Sequence, residues 1–223
     1  MTSGAVILAD FDHVPASVID YWLSAMSPAT RKRAMMFSSP RRFRQFVAGR
    51  WLLATLLADR MGITPCIIES SSREPQVANA DVHCSIAHSG NAVMAGFSVE
   101  APIGVDIEQH RQRDVERLVM TYFHSDEQRF FADLDKDARL SWFYRIWTCK
   151  EAHAKASGQG LTLKHLAQSV LQESKTETVD TYFLDNHTAS IAHQSTARVT
   201  ARFITDWGKG TRHWQLLHPS TQK

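Results

Sequence analysis

The chain has 223 residues, 43% of them hydrophobic and 22% charged, a balance that excludes disorder throughout and leaves ample apolar material for a core. Its 25 Lys and Arg against 23 Asp and Glu leave a formal charge of +2, too mild a surplus to imply a nucleic-acid partner from composition. The three cysteines, Cys66, Cys84 and Cys149, are odd in number and widely spaced, which excludes a disulfide framework and fits a reducing, cytoplasmic setting.

Met1 to Asp10 has no basic start and too short an apolar run for a signal peptide. The most apolar long stretch, Phe46 to Ala58, is broken by Arg50, so a soluble protein with no membrane span is expected. Val6 to Ala9 reads as an opening strand. Ser17 to Met26 has helical period through Val18, Ile19, Trp22, Leu23 and Met26. Ser27-Pro28 and Ser39-Pro40 each read as an N-cap followed by proline at the first helical position. The second of these opens a long helix with an apolar stripe of Phe43, Phe46, Val47, Trp51, Leu53, Leu56 and Leu57, ending near Gly62.

Cys66 to Ile68 is a short apolar run, and Ser70 to Pro75 has loop chemistry. His83 to Ala87 and Ala92 to Val99 read as a hairpin around Ser89-Gly90-Asn91, and Gly104 to Glu108 as a further strand. Helices are expected over Val115 to Phe123, from Ser125 with Gln128 completing a capping box, and over Ala138 to Ser157. Strand-like segments follow at Ser169 to Leu171, Thr178 to Leu184, Ala197 to Thr205 and His213 to Leu217. Helices and then strands, twice over, predict an α+β fold built from two α+β halves, residues 1–103 and 104–223.

Four clusters can carry chemistry. In a strand over Gly104 to Glu108, Asp106 and Glu108 share a face roughly 6.5 Å apart, while Val105 and Ile107 turn to the core. Paired carboxylates repel unless a cation sits between them, and hard oxygen donors suit Mg²⁺; solvated acids on an edge strand are the plainer reading. On the long helix Trp147, Glu151 and Lys155 fall on one stripe, either a functional row or an ordinary exposed Glu–Lys pair worth about 0.2–0.5 kcal/mol. His88, ahead of Ser89 and Gly90, could present imidazole and backbone N–H groups to an anion. A zinc reading through His83, Cys84 and His88 lacks a fourth partner, and a Ser-His hydrolase reading lacks the G-x-S-x-G elbow. The arginines 31, 33, 41, 42, 44 and 50, with Lys32, could meet phosphate or nucleic acid, although a solvated helix face explains most of them.

The order of these pieces is more specific than any one alone. A G-V-D-I-E strand precedes a helix carrying Phe143, Trp147, Lys150, Glu151, Ala152, Lys155, Gly158, Gly160 and Leu161 in the pattern F-x-x-x-W-x-x-K-E-A-x-x-K-x-x-G-x-G-L. This combination resembles the 4′-phosphopantetheinyl transferase superfamily, in its larger, monomeric, pseudodimeric kind typified by surfactin-synthetase activators. Ser85 to Gly90 is similar to that family's N-[IL]-S-H-S-G strand, and Arg44 to Arg50 to its R-x-x-x-x-G-R helix.

The resemblance implies two similar α+β halves forming a pseudodimer. It also implies transfer of the phosphopantetheine arm of coenzyme A to a serine of an apo acyl, polyketide or peptidyl carrier protein, releasing adenosine 3′,5′-bisphosphate. Asp106, Glu108 and Glu151 would hold Mg²⁺. Glu151, directly or through a metal-bound water, would be the base, with Lys155 as its catalytic partner. Arg33, Arg73, Ser85, His88, Asp106 and Lys155 would contact coenzyme A, Arg33 at the 3′-phosphate or a neighbouring group. Lys150 would only support. The family's asparagine is Ser85 here, its serine before the histidine is Ala87, and its lysine before the loop proline is Glu74. A catalytically impaired module that binds a carrier protein or coenzyme A is the competing reading, and binding without turnover separates the two.

Overall fold

A computed structural model describes residues 3–8, 11–69, 75–171, 177–194, 199–204 and 214–217. The chain runs β1 (Gly4–Leu8), α1 (Ala16–Ser24), α2 (Pro28–Ala34), α3 (Pro40–Met61), β2 (Ile67–Glu69), β3 (Pro75–Val77), β4 (His83–Ser89), β5 (Ala92–Ser98) and β6 (Gly104–Gln109). It continues through α4 (Val115–Tyr122), α5 (Ser125–Ala132), α6 (Lys136–Ala156), α7 (Leu163–Leu166), β7 (Glu177–Leu184), β8 (His187–Gln194), β9 (Thr200–Ile204) and β10 (Trp214–Leu217).

The two serine-proline pairs start helices as expected. Ser27 and Ser39 accept the N–H groups of Thr30 and Arg42, and proline fills the first helical position, where no N–H is required. Gly62 closes α3 in the left-handed conformation, φ 67°. One cap is displaced from the expected position. The box of α5 is formed by His124 and Glu127, not by Ser125 and Gln128. Gln128 is occupied elsewhere, donating to the carbonyls of Val119, Met120 and Phe123 at the end of α4.

The same connectivity appears twice. In the first half a strand (β1) leads through helices to a long helix (α3) and then a hairpin (β4–β5), whose second strand returns to pair antiparallel with β1. In the second, β6 leads to α6 and the hairpin β7–β8, and β8 pairs antiparallel with β6. The sheets are ordered β10-β9-β1-β5-β4 and β6-β8-β7, with a separate β2-β3 ribbon. β9 and β10 follow the second half in sequence, yet β9 pairs parallel with β1 in the first half's sheet. Ser169 to Leu171 forms no strand, and the preceding turn is the short helix α7.

The two sheets pack face to face, with α3 outside one and α6 outside the other. β5 shows the division of labour: Val93, Ala95 and Phe97 join the α3 core, while Ala92 and Met94 turn to the seam between the sheets. That seam is filled by Ala5, Ala87, Ile103, Val105, Ile107, Tyr182, Ala189 and Ile191. A third core, around Phe123, Phe131, Phe143 and Ile146, joins α4, α5 and α6. Among the described residues no helix is long and apolar enough to cross a membrane.

Candidate active site

Val105 and Ile107 are buried in the seam, so the alternation of β6 turns Gly104, Asp106 and Glu108 the other way. Gly104 sets the spacing. A Cβ there would lie 1.9 Å from the carbonyl oxygen of Ala152 and 2.5 Å from the amide nitrogen of Ala156, so only glycine lets the α6 backbone lie directly on β6. This contact brings Glu151 and Lys155 of α6 to Asp106. Lys155 Nζ donates to Asp106 Oδ1 at 2.7 Å and to the Val105 carbonyl at 3.1 Å.

The charges are out of balance. Glu151 is pushed up to about 7 by burial and by the charge of Asp106, with Glu108 adding to the rise and Lys155 opposing it. Glu108 is raised by burial and by Asp106, against the pull of a hydrogen bond from Ser89, 2.7 Å away. Asp106 is buried, and its Oδ2 has no hydrogen-bond partner among the described residues. An orphaned buried carboxylate oxygen beside two further carboxyls, all hard donors, fits a hard divalent cation. Among the described residues no group of three His, Cys, Asp or Glu side chains is placed to hold a metal ion.

β4 lies along β6 and is tied to it by hydroxyls in place of a backbone ladder. Ser85 Oγ accepts the N–H of Val105 at 3.0 Å, and Ser89 Oγ accepts that of Gln109 at 3.1 Å. Ser85 is therefore buried in the seam with its hydroxyl engaged. His88 stands at the end of β4, with Arg42 Nη1 3.0 Å from its Nε2 and 3.2 Å from its Nδ1. Burial and then Arg42 lower its pKa to about 4, with Lys155 and Arg50 acting the same way. Arg33 is exposed on α2, and Arg73 lies outside the described residues.

Much of the remaining motif is architecture. Lys150 and Glu127 form an ion pair of 2.9 Å, their side chains 1% and 0% exposed. Glu127 also accepts the N–H groups of His124 and Val170, and Lys150 donates to the Gln168 carbonyl. Trp147 stacks near Phe123 and Phe143. Arg44 donates to the carbonyls of Phe11, Asp12 and Val14, and Arg50 pairs with Glu69 through two hydrogen bonds. A cavity of about 1270 Å³ borders α6 along Trp142, Ile146, Cys149, Lys150 and His153, away from the Glu151–Lys155 row.

Residues 102–216, just over half of the chain, match the family model described as the 4′-phosphopantetheinyl transferase superfamily. The chain belongs to this superfamily. It is 29% identical to the 4′-phosphopantetheinyl transferase HetI of Nostoc sp., over 66% of this chain and 65% of that protein. Identity to the 4′-phosphopantetheinyl transferase Sfp of Bacillus subtilis is 28%, over 64% of each chain. With the 4′-phosphopantetheinyl transferase AcpT of Salmonella typhimurium it is 30%, over 61% of this chain and 71% of that one. The chain thus spans just under two thirds of the first two relatives.

As a superfamily member, the chain brings Asp106, Glu108, Glu151 and Lys155 into one group, with His88 within reach of the Lys155 charge. Ser89 and Arg113 were not singled out by the sequence, yet Ser89 holds Glu108 and Arg113 lowers that carboxyl's pKa. For Ser89 a signal was present, because it shares a strand face with Ser85 four residues before it. Arg113 sits in the connection between β6 and α4, where no periodicity marks it.

Proposed function

We propose that the protein transfers the 4′-phosphopantetheine arm of coenzyme A to a serine of an apo acyl, polyketide or peptidyl carrier protein, acting as a monomer built from halves 1–103 and 104–223, the second of which lends β9 and β10 to the sheet of the first. The observation that carries this reading is the meeting of three carboxyls and the Lys155 ammonium where β6 touches α6. The relatives' shared name adds weight to it.

The carrier's serine oxygen attacks the phosphorus that bears the pantetheine. A new P–O bond forms as the bond to the bridging diphosphate oxygen breaks, and adenosine 3′,5′-bisphosphate leaves. Glu151 takes the serine proton. Without metal its pKa lies at about 7, so at neutral pH much of it is ionised and able to accept a proton, and a bound Mg²⁺ would enlarge that share. Lys155 holds phosphate oxygens, and its ammonium needs only to shift from Asp106 to meet them. His88, neutral at that pH, contacts phosphate as a donor. Asp106, Glu108 and Glu151 would hold Mg²⁺, which would neutralise charge on the diphosphate.

Glu151→Gln keeps the side chain's size and removes its basicity. The variant should fold as the parent does and lose transfer of a labelled arm from coenzyme A to an apo-carrier, a loss on the order of 10²-fold or more. Transfer at the parental rate would remove Glu151 from the mechanism.

A further inference from the structure

The helix α6 presents a second face. Trp142, Arg145, Ile146, Cys149 and His153 follow one another at helical spacing and line the cavity of about 1270 Å³. Glu151 and Lys155 each lie two residues beyond a member of that stripe, so they project about 160° away from it. The facing walls are α5 at Phe130, the segment from Ala167 to Leu171, and β7 at Glu177 and Thr178.

Among the cations on these walls, all but one are engaged. Lys150 pairs with Glu127 at 2.9 Å, and His153 Nδ1 lies 3.1 Å from Glu177 Oε2. The rings of His124 and His165 cap α5 and α7. Arg145 is the exception. It is half-buried, and its guanidinium has neither an ion pair nor a hydrogen bond among the described residues. A charged group drawn partly out of water without an acceptor is costly, and the planar fork of an arginine fits two oxygens of one anion. One turn back on α6 is Trp142, on which Phe130 stacks with ring centroids 5.7 Å apart and planes 18° apart. Phe130 remains 48% exposed, so the wall beside Arg145 carries an open aromatic face.

We propose that this cavity binds an aromatic carboxylate, its ring against Phe130 and Trp142 and its carboxyl group on Arg145. One uncompensated cation, with the Glu177 carboxylate on the facing wall, suits a single negative charge better than a doubly charged phosphate. The volume lies somewhat above the ~300–1,000 Å³ of typical small-molecule sites, so a ring-bearing anion fits with room for water. The site lies across α6 from the carboxyl cluster and does not depend on the transferase reading.

The test is calorimetry on the full chain with two probes of one shape, naphthalene-2-carboxylate and the neutral naphthalene-2-methanol. The carboxylate should bind the parent with Kd below about 1 mM and about tenfold more tightly than the alcohol, the scale of one charge-assisted pair. Arg145→Met should bring the carboxylate to the alcohol's affinity and leave the alcohol unchanged. Arg145→Lys, which retains the charge without the fork, should lose part of the preference. Arg129→Met, at an exposed arginine of α5 paired with Asp126 at 2.6 Å, should alter neither probe. Saturating coenzyme A should not displace the carboxylate. The proposal is overturned by no binding to the parent, by equal affinity for the two probes, by a preference that either Arg145 substitution leaves intact, or by displacement with coenzyme A.

Discussion

Three carboxyls share the space between β6 and α6 with one ammonium, and the cost of that company falls on Glu151. Because Asp106 is the largest charge acting on it after burial, Asp106→Asn should lower the Glu151 pKa in the metal-free protein. Carbon-detected NMR on labelled glutamate would place the parental midpoint near 7, and added Mg²⁺ should move it down as well. A midpoint near the ordinary 4.5, indifferent to both changes, would show that the three acids do not share a field. The sign for stability follows. A carboxyl that binds its proton more tightly when folded favours the fold fully below its unfolded value, and that contribution is lost as pH rises through about 7. The folded protein thus gives up some stability at neutral pH to keep this acid in place, and a bound cation would offset that loss.

At the scale of elements, the site depends on how closely one helix lies against one strand. Gly104→Ala would set a Cβ 1.9 Å from a helix carbonyl, and neither backbone can yield without moving Glu151 or Asp106. The expected cost is about 3 kcal/mol or more in thermal or urea unfolding. Any folded remainder should transfer poorly, since misplacement by about 1 Å can cost 10²-fold. A variant with parental stability and rate would remove the close approach from the account. What the sequence disclosed follows the same division. The helix starts were legible because proline and serine act locally, and the β6 and α6 residues because their spacing is fixed within one element. β8 was missed. Its sequence, His187 to Gln194, is rich in His, Thr, Ser and Ala and shows no apolar run, yet seven of its eight residues are buried at the centre of a sheet. Three of its polar side chains find partners on other elements: Thr188 with His110, Ser190 with Thr148, and His193 with Asp180. No local pattern reveals such pairings. The meeting of Arg42 with His88 escaped notice for the same reason, because it joins two elements far apart in the chain.

At the scale of the molecule, the halves are held by an apolar seam and pinned by two serines. Ser85→Ala and Ser89→Ala would each leave a backbone N–H of β6 without its acceptor, a loss of about 1–3 kcal/mol apiece. The sites are roughly 13 Å apart along the strand, so the double variant should lose the sum of the two, as urea unfolding would measure. Ser89→Ala alone should also raise the Glu108 pKa further, because the serine hydroxyl now holds it down. Losses well below this range would mean that the apolar contacts alone hold the seam.

The parallel pairing of β9 with β1 bears on how the protein is made. A ribosome delivers residues 4–8 long before residues 200–204, so one edge of β1 waits for its neighbour while the intervening chain is made. Non-local pairing of this kind slows folding and leaves an unpaired edge open to association in the meantime. The five-stranded sheet cannot be completed until β9 and β10 have been made, whereas β6, β7 and β8 can pair before them.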